Sequence, residues 1–185
     1  MLQGLENFWY AVEHSQTLAD KPISLRLLDR RYVLFRDASG QPHALVDSCA
    51  HRGASLGSGW VEGDCLRCPY HGWSYDAQGR CVRIPADPTG TPIPARARMQ
   101  SLPLIERHGF LWIFPGDSTR ADSTLIPDFP EYGQAGWRTV QGEYRWDANF
   151  SRVVEAGLDT SHAPFVHKPF FPNRDVASVE QLEIT

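Results

Sequence analysis

The sequence predicts a mainly β protein: a small antiparallel β domain followed by the opening of a second, α+β domain. Three observations carry this. Through the first two thirds, short apolar-rich runs alternate with Gly- and Asp-containing turn clusters, the texture of a small antiparallel sandwich or barrel. At 42% hydrophobic and 11% aromatic over 185 residues, the chain can bury a core and is long enough for one domain with part of another. After Pro115 the texture changes, first to a polar connection and then to helical spacing.

Taken in order, "ISLRLLDRRYVLFRDASGQPHALVDSC" is strand-forming, with Asp37 to Gly40 as a turn between two strands. "WVEGDCLRCPY" and "WSYDAQGRCVRI" repeat the plan, with Gly63-Asp64 and Gln78-Gly79 at the turns. Four prolines between 85 and 95 exclude a central strand there. "GFLWIFPG" is a short aromatic strand closed by Pro115-Gly116. This first domain is expected over residues 7–115, with 116–136 as a linker and 137–185 as the start of the next domain. Within the latter, "WRTVQGEYRWDAN" reads as a strand pair. "FSRVVEAGLDTSHAPFVH" reads as a helix broken at Pro164, and Val179–Thr185 as the first strand of a larger sheet.

A formal net charge of −4 without a Lys/Arg block argues against nucleic acid or an anionic membrane as the main partner. No purely apolar run is longer than Phe110–Phe114, which is too short to span a bilayer. The N-terminus lacks the basic and apolar regions of a signal peptide. Four cysteines in a chain this long do not make a disulfide scaffold, so a cytoplasmic, thiol-preserving compartment is expected.

Chemistry concentrates in "CAHRGASLGSGWVEGDCLRCPYHGW", residues 49 to 73. Cys49-x-His51 is followed by residues 52 to 67 and then Cys68-x-x-His71, each pair followed by a glycine at Gly53 or Gly72. An isolated Cys or His is more often a packed core residue. Two Cys–His pairs, each with a glycine that allows close backbone approach, instead suggest two loops at the tips of two hairpins closing on a metal. Two thiolates and two imidazoles satisfy tetrahedral zinc. Zinc sites, however, usually take both cysteines from one knuckle and both histidines from another element. One of each per loop suits a two-iron cluster, with the cysteines on one iron and the histidines on the other. Cys65 and Cys81 read as small hydrophobes on neighbouring strands. Arg52 is either a donor to backbone carbonyls or a contact at a partner surface.

Cys49-x-His51-Arg52-Gly53 with Cys68-Pro69-Tyr70-His71-Gly72-Trp73 resembles the Rieske [2Fe–2S] motif, in the form found in Rieske non-heme iron oxygenases. The resemblance implies that Cys49 and Cys68 bind one iron and His51 and His71 the other. Respiratory Rieske proteins carry an extra cysteine in each loop, joined as a disulfide; here Ala54 and Tyr70 stand near those positions. They also place a serine, a donor to the cluster, where this chain has Trp73. Fewer donors imply a potential toward the lower end of the Rieske range, about −150 mV.

The second constellation is Asp159, His162 and His167. Two imidazoles and a carboxylate with open positions are what non-heme Fe(II) oxygenases use to bind O₂. In the same family the catalytic domain opens with Asp-x-x-His-x-x-x-x-His, which these residues match. The resemblance implies mononuclear Fe(II) on His162 and His167. It also implies that Asp159 hydrogen-bonds a ligand histidine and bridges to the Rieske histidine of a neighbouring subunit. Ala156 departs from the asparagine found in many members. The third iron ligand is a distant downstream aspartate in the family, and Asp175, Glu180 and Glu183 do not match its separation, so the chain reads as the N-terminal portion of a longer oxygenase.

The expected function is a Rieske oxygenase component. As a mono- or dioxygenase it takes electrons from a ferredoxin or flavin reductase and uses O₂ to hydroxylate or demethylate an aromatic or polycyclic organic substrate, as a homo-oligomer, commonly a trimer. The isolated chain is expected to be inactive. The competing readings are a Rieske-type ferredoxin, a pure carrier with no use for residues 137–185, and a colourless zinc-binding interaction module.

Overall fold

The structure, a computed structural model, describes residues 5–167. It divides into two compact units, the boundary falling after Arg138. In the first unit, eleven strands form three antiparallel sheets. They are β1 (Tyr10–His14), β2 (Ile23–Leu27), β3 (Arg30–Arg36), β4 (Pro42–Val46), β5 (Trp60–Glu62), β6 (Cys65–Arg67), β7 (Ser74–Tyr75), β8 (Cys81–Arg83), β9 (Ser101–Leu102), β10 (Leu104–Arg107) and β11 (Phe110–Ile113). The sheet orders are β1-β11-β10, β2-β3-β4-β9 and β5-β6-β7-β8.

The middle strand β3 explains the layering. Its run Tyr32-Val33-Leu34-Phe35 is apolar without alternation, and all four residues are fully buried. Successive side chains of a strand point to opposite faces, so both faces of this sheet must be covered. Val33 and Phe35 join one core with Leu45, Leu56, Leu66 and Tyr75. Tyr32 and Leu34 join the other with Ala44, Leu102, Leu111 and Ile113. Truncating Phe35 to alanine removes a ring from the first core, a loss of about 3–5 kcal/mol.

The turns at 37–40, 63–64 and 76–80 fall where the sequence places them. The β2–β3 turn was not marked by any glycine: Leu28 and Asp29 both take left-handed conformations, with φ of 49° and 63°. The run 116–136, expected as a linker, is folded against the first unit over part of its length. Trp9 Nε1 donates to the Asp122 carbonyl at 2.8 Å, Asp117 N–H donates to Asn7 Oδ1 at 3.0 Å, and Ile126 is buried.

In the second unit, residues 139–149 form no strand among the described residues, unlike the strand pair expected over 137–149. Helix α1 (Phe150–Leu158) follows, with Asn149 capping its N-terminus by accepting from Ser151 N–H at 3.0 Å. The helix ends at Asp159 rather than at Pro164. Pro164 lies in the first turn of a second helix, α2 (Ala163–Val166), where its missing N–H costs nothing. The strand expected at Val179–Thr185, and Asp175, Glu180 and Glu183, lie outside the described residues.

Candidate metal centre

The two Cys–His segments adopt one local geometry. In the first, Gly53 N–H donates to the Cys49 carbonyl at 2.7 Å and Cys49 N–H donates to the Ala54 carbonyl at 2.9 Å. In the second, Gly72 N–H donates to the Cys68 carbonyl at 3.0 Å and Cys68 N–H to the Trp73 carbonyl at 2.9 Å. Each loop thus closes from cysteine to the residue four on and back from the residue five on. Gly53 and Gly72 make this possible with φ of +70° and +69°, a region that side-chain-bearing residues avoid. Only the second loop is a hairpin tip, joining β6 to β7. The first crosses from β4 in one sheet to β5 in another, correcting the expectation of two hairpins.

That crossover is fixed by a residue the sequence reading passed over. Asp47 is buried, and its carboxylate accepts from Ser24 Oγ, Ser55 Oγ and Leu56 N–H, each at 2.6 Å. Three short donors offset the desolvation of this unpaired charge. Further on, a Cβ at Gly59 would stand 2.0 Å from the Arg67 carbonyl. The first loop therefore returns against the root of the second.

The two loops bring all four predicted ligands together as two pairs. Cys49 and Cys68 are 4% and 1% exposed. Burial pushes the Cys68 thiol up, and the neighbouring Cys49 sulfur adds to this against the N–H groups of Tyr70 and His71. His51 and His71 lie at the exposed rim with ring centroids 4.5 Å apart. His51 is stacked on Trp73 at 4.7 Å and an interplanar angle of 3°, and Tyr70 packs on His71 at 3.9 Å. Partial desolvation, then the like charges of His71 and Arg52, lower the His51 imidazole, favouring the neutral form a metal needs. Among the described residues no three His, Cys, Asp or Glu side chains gather as they would around a single ion. A buried sulfur pair with a nitrogen pair at the rim fits a two-iron cluster better than one tetrahedral zinc.

Tyr75, also missed, completes this shell. Its hydroxyl lies 3.1 Å from Cys49 Sγ in the first core, and burial, then Cys49, pushes its ionisation far above the usual phenol range. The hydroxyl therefore stays protonated, and to a Cys49 thiolate it can only donate; it is a donor beside the one expected to be missing at Trp73. Alternation in the sequence could not reveal it, because its neighbour Ser74 in β7 is buried as well. Cys65 and Cys81 are free thiols on β6 and β8, which are not neighbours; β7 runs between them. Arg52 is exposed and hydrogen-bonded to none of the described residues, so the backbone-donor role finds no support.

In the second unit, the His162 and His167 ring centroids are 5.5 Å apart. His162 Nδ1 lies 2.6 Å from the Asp159 carbonyl. A carbonyl only accepts, so Nδ1 carries a proton, which leaves Nε2 as the nitrogen for a ligand in the neutral tautomer. The Asp159 carboxylate instead accepts from Ser161 N–H and Oγ, contacts that hold it below the usual carboxylate range. Asp159 thus orients His162 through its main chain, where the resemblance implied its side chain.

The chain is similar to known proteins. The family model of the Rieske [2Fe–2S] domain matches residues 8–103. The oxygenase component of dicamba O-demethylase from Stenotrophomonas maltophilia is 37% identical over 179 residues, covering 97% of this chain and 51% of that protein. Methylxanthine N1-demethylase NdmA from Pseudomonas putida is 37% identical over 170 residues, covering 88% of this chain and 47% of its own length. A crystal structure of dicamba monooxygenase bound to dicamba superposes with a TM-score of 0.82 at 37% identity, covering 88% of this chain and 48% of that one. The chain spans about half the length of these curated relatives.

Proposed function

The chain belongs to the Rieske [2Fe–2S] domain family, and from that premise we propose that it is the electron-transferring portion of a Rieske oxygenase. The cluster sits on Cys49, Cys68, His51 and His71, in a domain spanning roughly residues 7–115. The observation that carries this is the pair of matched loops, which place two sulfurs in the core and two imidazoles at the rim. When bound, the [2Fe–2S] cluster supplies one-electron storage, and a mononuclear Fe(II) supplies O₂ activation.

The protein's own groups do the rest. Cys49 and Cys68 hold the buried side as thiolates, Tyr75 stabilises added negative charge on the Cys49 sulfur, and Trp73 and Tyr70 fix the imidazole planes. His51 and His71 present the exposed route for electrons. His162 and His167, five residues apart beyond α1, would offer their imidazoles to the Fe(II), with the Asp159 carbonyl holding the first. In this proposal residues 137–185 open the catalytic domain, 116–136 connect it to the cluster domain, and the third ligand comes from further along a longer polypeptide.

Two relatives are named as demethylases, one of a methyl ether and one of an N-methyl group. A small, methyl-bearing aromatic or heteroaromatic substrate is the corresponding proposal, with a ferredoxin or flavin reductase as donor, a homotrimer as assembly and a cytoplasmic setting that keeps Cys65 and Cys81 reduced. Among the described residues no helix is long and apolar enough to cross a membrane. The competing carrier reading leaves the oriented His162 and the paired imidazoles without a use. The test is to extend the chain past Thr185 and measure O₂-dependent demethylation. We expect activity with bound mononuclear iron, both lost in His162→Ala and His167→Ala, with Asp159→Ala mainly slowing electron transfer. Full activity in His162→Ala would overturn the assignment.

A further inference from the structure

We propose that Arg67, locked against Trp60 and Glu62 at the root of the second loop, is a potential-setting residue whose fixed positive charge favours the reduced cluster. The proposal rests on the Rieske reading and adds to it a charge outside the ligand set.

Arg67 is the last residue of β6 and directly precedes Cys68. Three contacts hold its guanidinium in one place. Nη1 pairs with Glu62 Oε2, and the guanidinium carbon lies 5.4 Å from the centre of the Trp60 ring. Nη2 stands 3.4 Å from where a Cβ on Gly72 would be, with Pro85 Cγ 3.1 Å from the same point. Strand pairing supplies the first two partners. Trp60 is opposite Arg67 across β5 and β6, and Glu62, two residues on, shares its face. The third contact puts the guanidinium against Gly72, the residue after His71.

The ion pair is not a cancelling dipole. The Arg67 side chain is 16% exposed and that of Glu62 is 54% exposed. Water therefore screens the carboxylate more than the guanidinium, and Glu62 also lies within electrostatic reach of a second cation, Arg83. Arg67 Nε is buried and has no hydrogen-bond partner among the described residues. A half-exposed ion pair contributes little to stability and an unsatisfied buried donor subtracts from it, so stability alone does not account for the arrangement. Reduction adds negative charge to the cluster, and the net charge around an iron–sulfur cluster helps set its potential. A poorly screened cation beside the His71 loop stabilises the reduced form, in the same sense as the Tyr75 hydroxyl on the buried side.

The test is anaerobic redox titration of the cluster-loaded 185-residue chain, followed by visible absorption at fixed pH and low salt. Arg67→Met keeps a long stem and removes the charge. It should lower the reduced-to-oxidised ratio at a given solution potential about threefold, a midpoint fall of about 30 mV at about 59 mV per tenfold for one electron. Arg67→Lys keeps the charge and should hold the ratio within about 1.5-fold of the unsubstituted chain. Glu62→Gln removes the opposing charge and should raise the ratio, by less than Arg67→Met lowers it. A midpoint that is unchanged or higher in Arg67→Met, with the cluster spectrum intact, would overturn the proposal. An equal fall in Arg67→Lys would overturn it too, since packing of the guanidinium rather than its charge would then set the potential. Where Arg67→Met fails to hold a cluster, Glu62→Gln decides, and a midpoint that does not rise overturns the proposal. Absence of cluster absorption from the unsubstituted chain would instead overturn the Rieske reading and this proposal with it.

Discussion

Replacing Tyr75 with phenylalanine removes one oxygen from the metal centre and leaves the ring in the core. That oxygen lies 3.1 Å from Cys49 Sγ and is fully buried, so no bulk water takes its place. An added electron raises the negative charge on the cluster sulfurs, so a donor at this distance stabilises the reduced state more than the oxidised one. A hydrogen bond to a charged group contributes about 1.5–3 kcal/mol. If roughly 1 kcal/mol of that differs between the two states, the midpoint falls by about 40 mV, since a tenfold ratio is about 1.4 kcal/mol and about 59 mV for one electron. The assay is an anaerobic redox titration followed by visible absorption at fixed pH. Tyr32→Phe is the matched control: Tyr32 is equally buried, in the other core, and its hydroxyl has no hydrogen-bond partner among the described residues. That variant should hold the wild-type potential and gain up to about 1 kcal/mol of stability by losing an unsatisfied group. A Tyr75→Phe potential that is unchanged or higher, with the cluster spectrum intact, would refute the reasoning.

Other expectations follow from the same contacts. Asp47→Ala strips three donors of their acceptor and should cost about 2–4 kcal/mol, with loss of iron, read by thermal unfolding and metal analysis. The hydrogen bond from His43, and then that from Ser39, hold the Asp37 carboxyl well below its usual range. A depressed folded pKa gives stability that is complete above the unfolded value of about 3.9 and is lost as pH falls below it. Asp37→Asn should therefore flatten the acid limb of the stability curve below about pH 4 while lowering stability at neutrality, measured by denaturant titration. Imidazoles on an oxidised cluster give up protons more readily, so the midpoint should rise as pH falls through and above neutrality. A potential flat from about pH 6 to about pH 10 would contradict histidine ligation at the rim.

Much of the β domain was legible because its turns carry glycine or aspartate and its strands are short. The β2–β3 turn was not, since Leu28 and Asp29 adopt left-handed backbone without the residues that advertise it. The four proposed ligands were legible as types at a spacing, and the structure adds that the glycine four residues after each cysteine closes its loop at positive φ. The crossover nature of the first loop was not legible, because sheet membership is decided by the two-sided burial of β3, a tertiary matter. Asp47 and Tyr75 were hidden for a related reason: an aspartate before a serine and a tyrosine in a strand look ordinary until burial gives them partners. In α1 the helix period was readable, but its end was not. Asp159 stops the helix by turning its carboxylate onto Ser161, while the more conspicuous Pro164 fits the first turn of α2.

The central claim is that Cys49, His51, Cys68 and His71 hold a [2Fe–2S] cluster. Iron and acid-labile sulfide analysis of the anaerobically purified chain, with electron spin resonance of its reduced form, tests it most directly. Two irons and two sulfides per chain from the β domain, a brown oxidised form and a Rieske-type spin signal that His71→Cys perturbs or abolishes are the predicted result. A colourless protein holding one zinc and no labile sulfide would contradict it.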